Sequence, residues 1–149
     1  MGSQYPYPRR SGGRVSSART DWALAPSLDD IRALAEQALA SLPQEFRLLV
    51  GDVAIHVTEF PDEDTEREME LESPFDILGL YKGVSLAEKS SAATMQDVDR
   101  ILLYRRPILD YWCEEGEELP HIVRHVLIHE IGHHFGLSDA DMERIEEEA

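Results

Sequence analysis

Residues 129–139 read HEIGHHFGLSD, and this stretch decides how the rest of the chain is interpreted. His129 and His133 stand four residues apart, so on a helix they lie one turn above each other and both imidazoles can reach one Zn²⁺. Glu130 is rotated by about 100° from His129, so its carboxylate can hold a water beside the metal instead of binding the metal. Zinc acidifies such a water while Glu130 takes its proton, which is the chemistry of amide hydrolysis.

The third metal ligand is predicted six residues after the second histidine. Residues 129–139 follow the metzincin spacing H-E-x-x-H-x-x-G-x-x-H, with Asp139 where the third histidine usually stands. Gly136 accepts the positive φ that the chain needs to leave the helix and double back towards the metal. Two imidazoles and one carboxylate form a normal catalytic zinc set. In the alternative interpretation Ser138 caps the last helix, and Asp139 only favours the positive end of that helix.

The motif lies on a helix whose ends are visible in the sequence. The pattern is helical from Pro120, which suits a first turn, to Phe135, and Gly136 suits a left-handed cap. A short last helix is predicted over residues 139–148. Histidines recur every four residues along the motif helix, at His121, His125, His129 and His133. Of these, His125 is interpreted either as a contact to substrate or to the metal ligands, or as a partly exposed side chain.

The remainder of the chain indicates a small sheet between helices. Ser27 caps an apolar-periodic helix that Pro43 ends. Short apolar runs predict three strands, at residues 53–57, 78–84 and 100–104, and Pro107 is expected to stop the third. The acidic segment 61–74 begins and ends at prolines and predicts a solvated loop. Helices at both ends with strands between them predict an α+β fold, with helices packed on one small sheet.

Charge divides the chain into two parts. The 149 residues carry 30 acidic and 14 basic side chains, a formal net charge of -16. Residues 1–26 are rich in Pro, Gly, Ser and Arg and carry +3, which predicts a disordered basic tail. Residues 27–149 form the predicted domain and carry -19. Such a surface repels polyanions, so nucleic acid is excluded as a partner and a positively charged substrate is favoured.

Composition also predicts where the protein works. No apolar run approaches the roughly 20 residues that span a bilayer, so no membrane association is expected. The single cysteine, Cys113, has no second cysteine with which to form an internal disulfide, which agrees with a reducing compartment. We therefore predict a cytoplasmic protein.

Three separated motifs resemble the minimal zincin-like metallopeptidases, a small bacterial family with an H-E-x-x-H-x-F-G-x-x-D-x-M signature. Residues 129–142 fit that signature throughout. Residues 78–84, LGLYKGV, look like the family's L-L-G-L-Y-x-G-V segment, and residues 100–107, RILLYRRP, look like its strand ending in Y-R-R-P. The resemblance covers the chain from about residue 28 to its end.

This resemblance implies a compact zincin-like α+β domain, a small mixed sheet flanked by helices with the active-site helix near the C-terminus. It implies a zinc metallopeptidase, a hydrolase that acts on a peptide or protein substrate. The site residues that it implies are His129, His133 and Asp139 as zinc ligands and Glu130 as general base. The wider metzincins carry a methionine turn beneath the metal, and Met142 is the methionine that lies nearest to the motif.

The expected substrate position follows from zincin architecture, in which a peptide lies antiparallel to an edge strand above the active-site helix. The segment 79–84 is our candidate for that strand. Tyr81 or Tyr104 is a candidate donor to the oxyanion, and the acidic segment 61–74 is a candidate for favouring basic peptides.

Two other functions fit parts of the pattern. A zinc-containing module without catalytic activity would bind another protein through its acidic face, although such a module has no need for Glu130. Zincin-like ribosomal-RNA endonucleases share the ligand spacing, but they lack a glutamate directly after the first histidine, and their RNA would have to approach a -19 surface.

Overall fold

The computed structural model describes residues 24–84 and 98–148. The predicted tail, residues 1–26, lies outside the described residues except for its last three. Within the described ranges the strands are β1 (Val53–Thr58), β2 (Gly79–Lys82) and β3 (Asp99–Tyr104). The helices are α1 (Leu28–Ser41), α2 (Gln44–Val50), α3 (Glu63–Glu68), α4 (Arg105–Glu115), α5 (Leu119–His134) and α6 (Asp139–Glu148), and a short 3-10 turn spans Pro74–Asp76.

The strands form one mixed sheet in the order β1-β3-β2. β1 runs parallel to β3, and β2 runs antiparallel to it. α1 packs against β1 and against α5, and α5 also packs against β2. The predicted α+β fold with a small mixed sheet is therefore confirmed. None of the helices in the described ranges is both long enough and apolar enough to cross a bilayer.

The core lies between the sheet and these helices. The inward side chains of β3, Ile101 and Leu103, are fully buried. They belong to one apolar cluster with side chains of α1 and α5, which include Ile31, Ala35, Val123, Leu127 and Ile131. The apolar positions of the motif helix therefore anchor it in the core, while its histidine row stays at the edge of that core.

The first helix begins where the sequence predicts. The Ser27 hydroxyl accepts a hydrogen bond from the Asp30 backbone N–H at 3.1 Å, and the Asp30 carboxylate accepts one from the Ser27 N–H at 2.9 Å. This reciprocal capping box satisfies two backbone donors that the helix leaves without partners. Arg105 adds a hydrogen bond from Nε to the Pro26 carbonyl, at 2.7 Å, which joins the start of α1 to the start of α4.

Two segments differ from the predictions. The acidic segment 61–74, predicted as a loop, contains α3, because the Asp62 carboxylate accepts a hydrogen bond from the Thr65 N–H and caps a helical turn. Pro107 was expected to stop the third strand, and no helix was predicted directly after it. Instead the chain enters α4 directly after β3, with Pro107 in the first turn, where a missing N–H costs no helical hydrogen bond.

The motif helix ends in the left-handed glycine cap that the sequence predicts. Gly136 has a φ of 73°. The Leu137 N–H donates to the Gly132 carbonyl at 2.8 Å, and the Gly136 N–H donates to the His133 carbonyl at 3.3 Å. This pair of bonds is a Schellman motif, which reverses the chain so that α6 packs against α5.

Gly132 lets the two helices approach within the motif itself. A Cβ at this position would overlap Sδ of Met142 and would lie 2.7 Å from its Cγ. Met142 is fully buried, so its side chain has no open space into which to move. The methionine of the family signature therefore packs directly on the α5 backbone between His129 and His133.

Replacing Gly132 by alanine is expected to lower the free energy of unfolding by about 1–3 kcal/mol, because the added methyl overlaps the buried Met142 side chain. Urea denaturation measures this change. Met142→Ala opens a cavity and is expected to cost about 2–5 kcal/mol by itself. Since the methyl at position 132 fills part of that cavity, the double variant should be less destabilised than the two single effects together. Strict additivity would contradict the contact.

Candidate metal centre

The motif helix presents a row of imidazoles along one face. The ring centroids of His125 and His129 are 4.1 Å apart, and those of His129 and His133 are 5.8 Å apart. His129 is half-buried, whereas His133 is exposed at the end of the helix. The four-residue spacing therefore places the rings next to one another, as the motif predicts.

The environment of His129 favours its neutral form. Burial lowers the pKa of His129, and the nearby His125 lowers it further, against an opposing effect from Glu146. Neutral imidazole is the form that binds a transition metal. His129 is thus held in the protonation state that a metal ligand requires.

Glu130 lies between the histidine row and the sheet. Burial raises the pKa of its carboxyl group, while His133 and a hydrogen bond from the Tyr81 backbone lower it. Tyr81 belongs to β2, which pairs with β3 along one side and forms an edge of the described sheet. The carboxylate predicted as general base therefore contacts the backbone of the strand that was predicted to bind the substrate.

The helix cap at the start of α6 is formed by Ser138 and not by Asp139. The Ser138 hydroxyl accepts a hydrogen bond from the Asp141 N–H at 3.1 Å, and the Asp141 carboxylate accepts one from the Ser138 N–H at 3.3 Å. Ser138 is therefore the helix cap, and Asp141 completes the capping box. Asp139 takes no part in this box, and its exposed carboxylate interacts electrostatically with His129.

The three side chains that lie closest together form a different set from the predicted one. Ligand atoms of His125, His129 and Glu146 lie within 4.8 Å of one another, and no other such group occurs in the described ranges. Of the predicted set, His129 belongs to this group, while His133 and Asp139 lie outside it. Sequence reasoning missed Glu146. Its position seven residues after Asp139 places both on one helix face, but the run of glutamates at residues 146–148 gave no reason to select it.

The donor chemistry at the junction of α5 and α6 fits zinc. Imidazole nitrogens from α5 face carboxylates from α6, and two imidazoles with one carboxylate form a catalytic zinc set whichever carboxylate is used. Oε1 of Glu146 is buried without a partner in hydrogen-bonding geometry within the described residues. A bound cation would satisfy that oxygen.

Comparison with known protein families identifies the family of this chain. The family model described as zincin-like metallopeptidase matches residues 50–149. The chain belongs to this family. The matched region of this zincin-like protein contains all three strands, the motif helix α5 and the last helix α6. No curated protein matches the chain.

The two tyrosines considered as oxyanion donors have different environments in this zincin-like chain. The Tyr81 hydroxyl donates to Oδ2 of Asp99 at 2.7 Å, and its ring stacks on His134 with centroids 4.0 Å apart. Tyr81 therefore holds β2 against the end of α5. The Tyr104 hydroxyl is buried, and its pKa is raised to about 12 by burial and by the negative charge of Asp62.

Substitutions at two neighbouring positions are expected to distinguish the residue that caps α6 from the residue that binds the metal. Ser138→Ala should lower the unfolding free energy of the metal-free protein by about 1 kcal/mol, since the cap is lost. Asp139→Asn should cost less, about 0.3–1 kcal/mol, because it removes only the attraction between a first-turn carboxylate and the N-terminus of the helix. With Co²⁺ as a spectroscopic probe, Asp139→Asn should change the visible absorption spectrum and Ser138→Ala should not. The opposite pattern would make Asp139 a capping residue and remove it from the ligand set.

Proposed function

We propose that this zincin-like protein is a zinc-dependent peptidase in which His129, His133 and Asp139 hold the metal and Glu130 is the general base. The observation that carries the proposal is the position of Glu130. Its side chain is partly buried, next to His133 on one side and to the backbone of the edge strand on the other. A purely structural zinc site does not need a carboxylate at that point.

The assigned roles follow from the chemistry of each group. Zinc, when bound, supplies Lewis acidity that activates a water and polarises the scissile carbonyl. Glu130 accepts the proton of the attacking water and then delivers it to the leaving amine. Burial raises the pKa of Glu130, which makes its carboxylate a stronger base than an exposed glutamate. The Tyr81 N–H keeps the carboxylate oriented through its hydrogen bond.

The edge strand β2 is the proposed binding site for the peptide backbone. Main-chain hydrogen bonds between an extended substrate and an edge strand give affinity without demanding a particular sequence. The contact between the Tyr81 backbone and Glu130 supports this placement, because a peptide alongside β2 lies next to the catalytic carboxylate. The close packing of Gly79 on Val126 keeps β2 in a fixed position against α5.

A basic peptide or protein is the proposed substrate class. The negative charge of Asp62, at the start of the acidic segment, acts on the Tyr104 hydroxyl, and Glu130 acts on the same hydroxyl. The acidic segment that contains α3 therefore begins near the proposed active site. Its negative charge, which is part of the net charge of -16 for the chain, favours the approach of cationic peptides.

Glu130→Gln is expected to abolish peptidase activity while one zinc per chain is retained, because the amide cannot accept the proton but none of the proposed ligands changes. Metal content and hydrolysis of a peptide library are measured on the same preparations. Glu45→Gln, on the exposed face of α2, is the matched control with the same loss of charge and should keep full activity. Full activity of Glu130→Gln would refute the assigned role of Glu130.

The same measurements test the alternative function. If the wild-type protein binds zinc but cleaves no peptide in the library, the interpretation as a zinc-containing interaction module is favoured. Peptidase activity that disappears on chelation and returns with zinc supports the proposed function.

Salt is expected to weaken cleavage of a cationic peptide more than cleavage of a neutral peptide of equal length. The reason is that the Debye length falls from about 10 Å at 0.1 M salt to about 3 Å at 1 M. The ratio of kcat/KM for the two peptides, followed over this range, measures the effect. Neutralising Glu66 and Glu68 on α3 should lower the ratio at low salt, whereas neutralising Glu36 and Glu45 on α1 and α2 should not. A ratio that is independent of salt would exclude the acidic surface from substrate selection.

A further inference from the structure

The group formed by His125, His129 and Glu146 lies one helical turn before the motif ligands. Nδ1 of His125 is 2.5 Å from Oε1 of Glu146, and Nε2 of His129 is 3.7 Å from the same oxygen. Two ligands bound to one tetrahedral zinc are separated by about 3.4 Å, given zinc–ligand bonds of about 2.1 Å. The three side chains therefore need only small adjustments to bind one ion.

A cation would stabilise the partly buried carboxylate of Glu146. Its side chain is 20% exposed, and Oε1 is buried between two imidazoles without a partner in hydrogen-bonding geometry within the described residues. The contact of this oxygen with His125 is an ion pair when the imidazole is charged, which offsets only part of the cost of burying the carboxylate. A divalent ion between the three groups satisfies the carboxylate and both nitrogens together.

We propose that His125, His129 and Glu146 form a second position for a zinc-like divalent ion, which shares His129 with the motif ligands. The donor set of two nitrogens and one oxygen selects zinc or a neighbouring transition metal over magnesium or calcium, which prefer all-oxygen sites. In a neutral imidazole one ring nitrogen carries a proton, so only the other has a lone pair with which to bind an ion. The two positions are therefore exclusive, and the chain holds one ion at a time.

The second position is remote from the general base. Along the α5 axis, Glu130 is about 1.5 Å from the midpoint of His129 and His133, but about 4.5 Å from the midpoint of His125 and His129. An ion bound by Glu146 is thus withdrawn from Glu130. This consequence rests on the proposed function. The second position would then hold the metal where Glu130 cannot act on its water, and we call it a resting site for that reason.

Zinc titration of variants tests the second position directly. The metal-free full-length protein competes with a chromogenic chelator for Zn²⁺. Wild-type protein is expected to bind one zinc, and the variant that lacks both His133 and Asp139, as His133→Gln and Asp139→Asn, is expected to bind one zinc as well. Adding Glu146→Gln to that variant should abolish binding. Glu147→Gln, at the exposed neighbouring position, is the matched control and should leave binding intact.

Specific outcomes would overturn the proposal. Absence of zinc binding in the variant without His133 and Asp139, with an unfolding curve that shows it folded, would exclude the second position. Two zinc ions on wild-type protein would exclude the sharing of His129. Unchanged zinc binding after the further loss of Glu146 would exclude Glu146 as a ligand.

Peptidase activity gives an independent test of whether only one of the two metal positions is filled at a time. With zinc below one equivalent and equal occupancy of the two positions, Glu146→Gln should raise peptidase activity about twofold, because all bound metal then stays beside Glu130. Unchanged or reduced activity of this variant would contradict a resting site. If no variant or wild-type protein cleaves peptides, the proposed function fails, while the zinc titrations still decide whether the second position exists.

Discussion

The contact between Met142 and the backbone of Gly132 fixes the separation of the two helices that carry all the candidate metal ligands. Because a side chain at position 132 would collide with Met142, α6 can pack this closely only on a glycine. The glycine cap at Gly136 supplies the reversal that makes the contact possible. Carboxylates of α6 then face imidazoles of α5 across a short gap. The wider metzincins place a methionine beneath the metal by a separate turn, whereas here one methionine of the adjoining helix packs beneath the motif.

The junction of α5 and α6 brings carboxylates next to imidazoles. Burial favours neutral imidazole at His129, and the side chains of Glu130 and Glu146 are both partly buried. Exposed acidic groups elsewhere on the chain cannot supply compensating positive charge. Carboxylates that are partly buried beside neutral histidines suit a divalent metal. One ion can bind the imidazole nitrogens and also compensate the negative charge of the carboxylates.

Local patterns predicted the elements whose signals lie in adjacent residues. The Ser27 cap, the Gly136 cap, the three strands and the motif helix all have boundaries close to those expected. α4 was missed because Pro107 was interpreted as a stop, although a helix tolerates proline in its first turn. Glu146 was missed for a different reason. Its role depends on how α6 packs against α5, and that packing is set by a tertiary contact which no single-sequence periodicity encodes.

The order of the strands in the sheet has a consequence for how the chain is assembled. β1 and β2 do not pair with each other in the described sheet, and both depend on β3, which comes last along the sequence. The parallel pair matches Val53 with Asp99, so closing it joins residues 46 positions apart. During synthesis, β1 and β2 therefore cannot pair within this sheet until β3 has been made. The histidine motif begins only 25 residues after Tyr104, so the sheet and the motif helix become available almost together.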